Sequence, residues 1–218
     1  MASSIEDDEP SVALRPAAHA ARDGYDVGRL LAFSDGVFAI AITLLVLGIP
    51  VPRVAPNDSA QLVAALVGLR GNLLGFALSF LLVGAQWIAH HRMLRNLATC
   101  DQRLLWLNLL PLMGICLVPF ASSVLIEYGG RPPGAITYAA LQGAIGVTFV
   151  ALRTDLVKRG ALPHTSLLVS LIPVLGFALS IPVALRNVNA AYALWVVGFG
   201  ISRVIEARTR TSARGDER

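Results

Sequence analysis

Residues 29–47 read RLLAFSDGVFAIAITLLVL, and this stretch decides the fold class. No charged residue occurs between Asp35 and Arg53, and the prolines Pro50 and Pro52 follow the apolar run. A helix that spans a membrane needs about 20 predominantly apolar residues. The stretch therefore predicts a transmembrane helix (helix 1) that begins near its first arginine and is ended by the two prolines, which lack a backbone donor.

Five further apolar stretches of similar length follow along the chain. The charged residues that bound them define the windows 70–92, 103–127, 131–153, 159–186 and 186–203. Of the 218 residues, 55% are hydrophobic and 15% are charged, whereas soluble domains carry about 25% charged residues. The sequence therefore predicts an all-α integral membrane protein with six transmembrane helices per chain.

The distribution of basic residues predicts the orientation of these helices. Fourteen of the 18 lysines and arginines fall in the two terminal segments and in the connections after helices 2 and 4. Because basic segments stay on the cytosolic side, both termini are expected in the cytosol. The predicted division is a disordered tail (1–28), a six-helix transmembrane domain (29–207) and a second disordered tail (208–218). The net charge of +4 does not indicate a nucleic-acid partner, because the basic residues form no single folded face.

Polar side chains inside the apolar windows are costly, so each predicts a specific contact or a functional site. Asp35 lies about a turn and a half inside helix 1, either as a polar turn at the membrane interface or in a buried network that fixes the helix. His90 is interpreted as a proton site or as a partner of Asp35, and Trp87 as an interfacial residue. Asn108 and Gln142 indicate hydrogen bonds between helices.

Helix 1 carries its polar and apolar residues on different faces. At 100° per residue an apolar stripe forms along one face, with Thr43 near its edge. The members of this stripe are Phe33, Gly36, Ile40, Leu44 and Leu47. Ser34 and Asp35 project roughly 120–140° away from Ile40. The angles leave two interpretations of the stripe open, which are ordinary packing and the lining of a pore.

Helix 1 resembles the first helix of a known family. The motif RxxxFSD (29–35) and the run GVFAIAITLLVL (36–47) are similar to helix 1 of the transmembrane protein 175 family of lysosomal and bacterial potassium channels. The resemblance continues through WIAHHR (87–92), LNL (107–109) and PF (119–120). Helices 4 to 6 match this family only in hydrophobicity.

The resemblance implies a homotetramer in the plasma (inner) membrane of a bacterium, with helix 1 of each subunit around a central pore. It assigns the pore constriction to Ile40, Leu44 and Leu47, and a polar lining position to Thr43. A second set of residues is expected to hold helix 1 in place. Its members are Arg29, Phe33, Ser34 and Asp35 on helix 1, with Trp87, His90 and Asn108 as network partners on helices 2 and 3.

The function expected on this basis is a passive, potassium-favouring cation channel with a hydrophobic constriction. Potassium is then the permeant ion, the bilayer is the surrounding partner, and no cofactor is needed. The alternative is a proton-coupled secondary transporter or a proton-leak pathway, although the internal repeats typical of transporters are not evident. No catalytic set indicates an enzyme. Adjacent histidines such as His90 and His91 point to different helix faces, so no metal site is expected.

Overall fold

The computed structural model describes residues 25–55, 57–163 and 165–215, and seven α-helices organise them. In chain order they are α1 (Val27–Leu44), α2 (Ser59–Gly68), α3 (Arg70–Leu94), α4 (Gln102–Tyr128), α5 (Pro132–Lys158), α6 (Thr165–Ala184) and α7 (Val188–Gly215). A 3-10 turn, Leu45–Gly48, prolongs α1 and ends just before Pro50. The predicted all-α class is confirmed.

Four helical segments are long and apolar enough to cross a membrane, judged by length and composition. They are Val27–Gly48, Arg70–Leu94, Gln102–Tyr128 and Pro132–Lys158. These segments coincide with the first four predicted spans. The corresponding apolar parts of α6 and α7 are Ser170–Ala184 and Val188–Ser202, and over the described residues both are shorter than a span.

Two helical segments differ from the sequence prediction. α2 falls where only a connection was expected, and it begins because the carboxylate of Asp58 accepts a hydrogen bond from the backbone nitrogen of Gln61 at 2.8 Å. α7 continues to Gly215, beyond position 207 where a disordered tail was predicted. Glu, Ala and Arg in that segment are good helix formers.

The predicted amino-terminal tail lies outside the described residues except for positions 25–28. Within those positions α1 already begins at Val27, because Asp26 caps it by accepting from the backbone nitrogen of Gly28 at 2.8 Å. Tyr25 pairs with Cys100 through two backbone hydrogen bonds of 2.8 and 3.3 Å. The start of α1 is thereby tied to the connection between α3 and α4.

α1 packs against α3 and α4, whereas α4, α5 and α6 each pack against the next helix along the chain. Phe38, Ala41 and Leu45 of the α1 segment are buried in a core cluster with residues of α3, α4 and α5, among them Val83 and Ile115. Only one face of α1 takes part in this packing. The opposite face of the helix is left outside the core of the chain.

Four charged side chains join the start of α4 to the end of α5. Asp101 accepts a hydrogen bond from the backbone nitrogen of Leu104 at 2.9 Å and so caps α4. The Arg159 guanidinium binds Asp101 at 3.0 Å and Asp155 at 2.5 Å. Arg103 binds the other carboxylate oxygen of Asp155 at 3.1 Å. The backbone hydrogen bond and the guanidinium hold the pKa of the Asp101 carboxyl below its usual range.

Replacing Asp101 by alanine is expected to lower the free energy of unfolding by about 1 kcal/mol at neutral pH, because α4 loses its cap. Since the pKa of Asp101 is lower in the folded state, the ionised carboxylate stabilises the fold above roughly pH 4. This contribution is lost as the pH falls through the folded-state pKa, so the difference between the two proteins should shrink in acid.

Denaturant titration in detergent, at neutral and at acidic pH, measures this difference. Asp101→Asn is the matched control, because its amide oxygen can still cap α4 while the charge pair with Arg159 is removed. Its loss of stability should be smaller than that of Asp101→Ala. An alanine effect of the same size at both pH values would contradict the role given to the ionised carboxylate.

Candidate functional site

The apolar stripe of α1 lies on the surface of the chain. Its large side chains are exposed by 55% at Phe33, 62% at Ile40, 42% at Leu44 and 75% at Leu47. Thr43, at the edge of the stripe, is also exposed, and its hydroxyl donates to the carbonyl of Ile40 at 2.8 Å. Since the Thr43 proton is used in this way, the hydroxyl oxygen presents only its lone pairs outward.

The buried face of α1 carries a polar contact that joins three helices. Ser34 is fully buried, and its hydroxyl donates to the carbonyl of Leu30 at 2.9 Å. The same hydroxyl oxygen accepts from Nδ2 of Asn108 on α4 at 3.0 Å. Oδ1 of Asn108 lies 2.6 Å from Nε2 of His90 on α3. We call Ser34, Asn108 and His90 the three-helix network.

The hydrogen-bond roles within the three-helix network follow from one another. Nδ2 of Asn108 donates to Ser34, so its Oδ1 is the acceptor and Nε2 of His90 must carry the proton. His90 is fully buried, with its ring 5.5 Å from that of Phe38 and 6.1 Å from that of Phe149. Its Nδ1 makes no hydrogen bond with any residue that the structure describes. His90 is thus held in one orientation within apolar surroundings.

Asp35 bonds to Trp87, one of the network partners implied by the family resemblance, and not to His90. Its Oδ1 accepts a hydrogen bond from the indole nitrogen of Trp87 on α3 at 2.7 Å. The described residues include no ion pair between Asp35 and Arg29, and His90 bonds to Asn108 instead of Asp35. Arg29 is exposed at the start of α1. Asp35 and Ser34, adjacent in sequence, therefore tie α1 to α3 by two separate routes.

Comparisons with known proteins match the part of the chain that holds these contacts. The model of a family described as the endosomal/lysosomal potassium channel TMEM175 matches residues 29–119. A potassium channel of Streptomyces collinus is 38% identical over 139 residues, which cover 62% of this chain and 66% of the relative. A potassium channel of Chamaesiphon minutus is 40% identical over 127 residues, which cover 57% of this chain and 63% of the relative.

The chain is similar to the TMEM175 family over residues 29–119, which are somewhat less than half of its 218 residues. It spans slightly less than two thirds of the length of these two curated relatives. The crystal structure of a lysosomal potassium-selective channel TMEM175 homolog from Chamaesiphon minutus superimposes with a TM-score of 0.71 and 29% identity. That match covers 84% of this chain and 97% of the other. The names of these TMEM175 relatives are those of ion channels, so the prediction that the chain is not an enzyme is confirmed.

The TMEM175 match begins at Arg29, two residues into α1, and includes the rest of α1 and the segments that supply its partners on α3 and α4. Ser34, His90 and Asn108 had all been singled out from the sequence, and the structure brings them together. Trp87 had been interpreted from the residues as an interfacial side chain and from the family resemblance as a network partner of helix 1, and the structure bonds it to Asp35. The described residues contain no group of three or more His, Cys, Asp or Glu side chains placed to hold a metal ion.

Three hydrogen bonds between helices were not predicted from the sequence. Gln142 was expected to bond another helix, but its partner, Gln86 on α3 at 2.8 Å, was not identified. Ser79 and Ser122 share a hydrogen bond of 2.9 Å, and the Tyr138 hydroxyl donates to Ser79 at 3.1 Å. Each of these side chains lies in an apolar window, and the cost of a polar group there was the signal that could have found them.

Proposed function

We propose that the chain forms a passive, potassium-favouring cation channel in which α1 from several copies surrounds a pore. The observation that carries the proposal is the outward-facing apolar stripe on a helix whose other face is buried and hydrogen-bonded. Relatives named as potassium channels support the choice of permeant ion. One chain supplies one such helix, which cannot enclose a pore, so the channel is an oligomer, and the family resemblance favours a homotetramer.

In this assembly the protein crosses the plasma membrane of a bacterium six times. Four spans are provided by α1, α3, α4 and α5, and the apolar parts of α6 and α7 provide the other two. The excess of basic residues in alternate connections favours cytosolic termini. The stripe of α1 then runs from a cytosolic mouth beside Arg29 to an outer mouth beside Leu47.

The proposed constriction consists of the rings that Ile40, Leu44 and Leu47 form around the pore axis. Apolar rings offer no ligand to replace the hydration shell of an ion, so passage costs the free energy of removing water. Potassium binds its water less tightly than the smaller sodium ion, so the cost is lower for potassium. The outward lone pairs of the Thr43 hydroxyl can coordinate or hydrate a cation between two apolar rings.

The three-helix network and the Trp87–Asp35 contact give this constriction a fixed support. A pore lined by single side chains changes its diameter if a lining helix rotates by a fraction of a turn. Ser34 lies on the side of α1 away from the stripe, and its bond to Asn108 opposes such rotation. Asp35 opposes it from a second direction through Trp87. We therefore assign to both contacts the role of positioning the stripe.

Reconstitution of the full chain into potassium-loaded vesicles tests the proposal. Potassium efflux from these vesicles is expected to exceed sodium efflux from matched sodium-loaded vesicles, to increase with the ion gradient without saturating, and to need no proton gradient. Vesicles without protein are the control for leak. The mass of the purified protein, measured by light scattering with the detergent subtracted, should equal four chains of 23.1 kDa.

Three outcomes would argue against the channel. Flux no greater than in protein-free vesicles would show that the chain does not conduct ions. Flux that saturates and depends on a proton gradient favours the proton-coupled carrier. Potassium conduction by a monomeric protein would contradict a pore shared between copies, because a single α1 helix cannot enclose a pore.

A further inference from the structure

A cavity of about 120 Å³ lies between α3, α5, α6 and α7, and no residue of α1 lines it. It is therefore separate from the proposed pore. Among the described residues, α3 packs against neither α6 nor α7. The cavity is thus open along the side between α3 and the last two helices, and within a bilayer such an opening admits lipid.

The polar and apolar residues of the cavity wall lie at different depths. Arg153 is in the last two turns of α5, and Ser170 is in the first two turns of α6, which begins at the same end of the bundle. Nε of Arg153 donates to Sδ of Met93, close to the end of α3, at 3.3 Å. Leu82 and Phe177, in contrast, lie near the middle of α3 and α6. The cavity therefore has a cationic end near the helix ends and an apolar end near the middle of the bundle.

The cationic end of the cavity is suited to a phosphate group. A guanidinium has five N–H groups in a fixed fork, so Arg153 can bind phosphate oxygens while it keeps other partners. Ser170 and Ser202 add hydroxyl groups to the wall of the same cavity. In a bilayer the phosphates of the lipids lie near the ends of the membrane-spanning helices, which is where the side chain of Arg153 can reach by extending towards the interface.

We propose that this cavity binds an anionic glycerophospholipid, with its phosphate at Arg153 and part of one acyl chain along Leu82 and Phe177. Because the cavity is open on one side, the second chain stays among the neighbouring lipids. In the orientation proposed above, the Arg153 end faces the cytosol, so the lipid belongs to the cytosolic leaflet. Basic pockets between transmembrane helices on that side are suited to anionic headgroups. Binding of the lipid does not require ion conduction, so it can be tested separately from the channel.

Neither half of such a lipid matches the whole cavity by itself. A soluble phosphate ion suits Arg153 but leaves the apolar wall in contact with water, which is unfavourable. An uncharged diacylglycerol covers the apolar wall but offers the guanidinium no anionic oxygen, so the stronger, charge-assisted hydrogen bonds are not made. A glycerophospholipid supplies both groups, in the order in which the cavity presents them.

The test compares three compounds on the full chain in detergent. Dioctanoyl phosphatidylglycerol has both groups, dioctanoylglycerol has the acyl chains without the phosphate, and glycerol phosphate has the phosphate without the chains. The shift of the unfolding temperature with concentration gives an apparent Kd for each. Phosphatidylglycerol is expected to bind about tenfold more tightly than dioctanoylglycerol, which is the factor that about one net hydrogen bond to a charged group supplies, and glycerol phosphate should bind more weakly than either lipid. In Arg153→Gln the preference for phosphatidylglycerol over dioctanoylglycerol should fall to about one.

Two matched variants control for unspecific attraction of anionic lipid and for folding. Arg95→Gln removes the same charge from an exposed position just after α3, outside the cavity, and should keep the full preference. Ala89→Phe narrows the cavity without removing Arg153, and should weaken binding of both lipids even if Arg153→Gln does not fold. Equal Kd values for the two lipids, an unchanged preference in Arg153→Gln, the same loss in Arg95→Gln, or native lipid binding in Ala89→Phe would overturn the proposal. Binding of glycerol phosphate as tight as that of phosphatidylglycerol would overturn it as well, because the site would then be one for free phosphate.

Discussion

Ile40→Asn is expected to raise sodium flux about tenfold in reconstituted vesicles and to reduce the preference for potassium. The exposed side chain of Ile40 lies midway along the proposed pore surface of α1. An amide at this position offers a dehydrated ion a ligand that isoleucine cannot offer. A gain of about 1.4 kcal/mol for the ion at the constriction corresponds to a tenfold increase in rate.

Two further variants sharpen this test of the constriction. Ile40→Val keeps the ring apolar at nearly the same size, so it should keep the native preference for potassium. Leu44→Ala widens the next ring without adding a polar group, and should raise both fluxes together with a smaller change in preference. If Ile40→Asn and Leu44→Ala both leave conductance and selectivity unchanged, α1 does not line the pore through this stripe.

Asn108→Leu is expected to lower the free energy of unfolding by about 1–3 kcal/mol and to reduce potassium flux. Leucine is close to asparagine in size but cannot accept the proton that Nε2 of His90 donates. That donor is then buried without a partner, which carries this cost. Ser34 keeps its bond to the carbonyl of Leu30 but loses the contact that fixes α1 against α4, so the stripe is held less firmly.

A double-mutant cycle separates this effect from a simple loss of packing. His90→Phe removes the donor, so Asn108→Leu should cost less in the His90→Phe background than in the native chain. Thermal unfolding in detergent, with and without each substitution, measures the coupling between the two positions. Additive losses of stability would mean that the 2.6 Å contact between His90 and Asn108 contributes nothing to stability. Potassium flux at the native level in Asn108→Leu would show that Asn108 does not position the stripe.

Ile40→Asn changes α1 directly, and Asn108→Leu changes a contact that holds α1. This helix is the element that the sequence predicted most completely. Its start near Arg29, its end before Pro50 and the separation of Ser34 from the stripe all follow from charge spacing and helical periodicity. The exposed state of Ile40, Leu44 and Leu47 in the structure agrees with that separation. The stripe could be predicted because residues of one helix have fixed angles to one another.

The polar partners show where local periodicity stops being informative. Asp35 bonds to Trp87, a residue 52 positions away, and Ser34 bonds to Asn108 at a distance of 74 positions. Such pairs depend on how far each neighbouring helix is rotated and shifted along its axis. The sequence indicated that Asp35 needed a partner, because a charge in an apolar span is costly, but it did not decide between Trp87 and His90.

The sequence by itself determined the class of the protein, its apolar windows and the two faces of α1, since these depend on composition and on angles within one helix. Only the tertiary structure decided that α2 is helical, that Gln86 bonds Gln142, and that a cavity lies beside this pair. The last two features are set by the packing of several helices. Their hydrophobic sequences are too uniform to specify the rotation of each helix, so the contacts between them could not be predicted from periodicity alone.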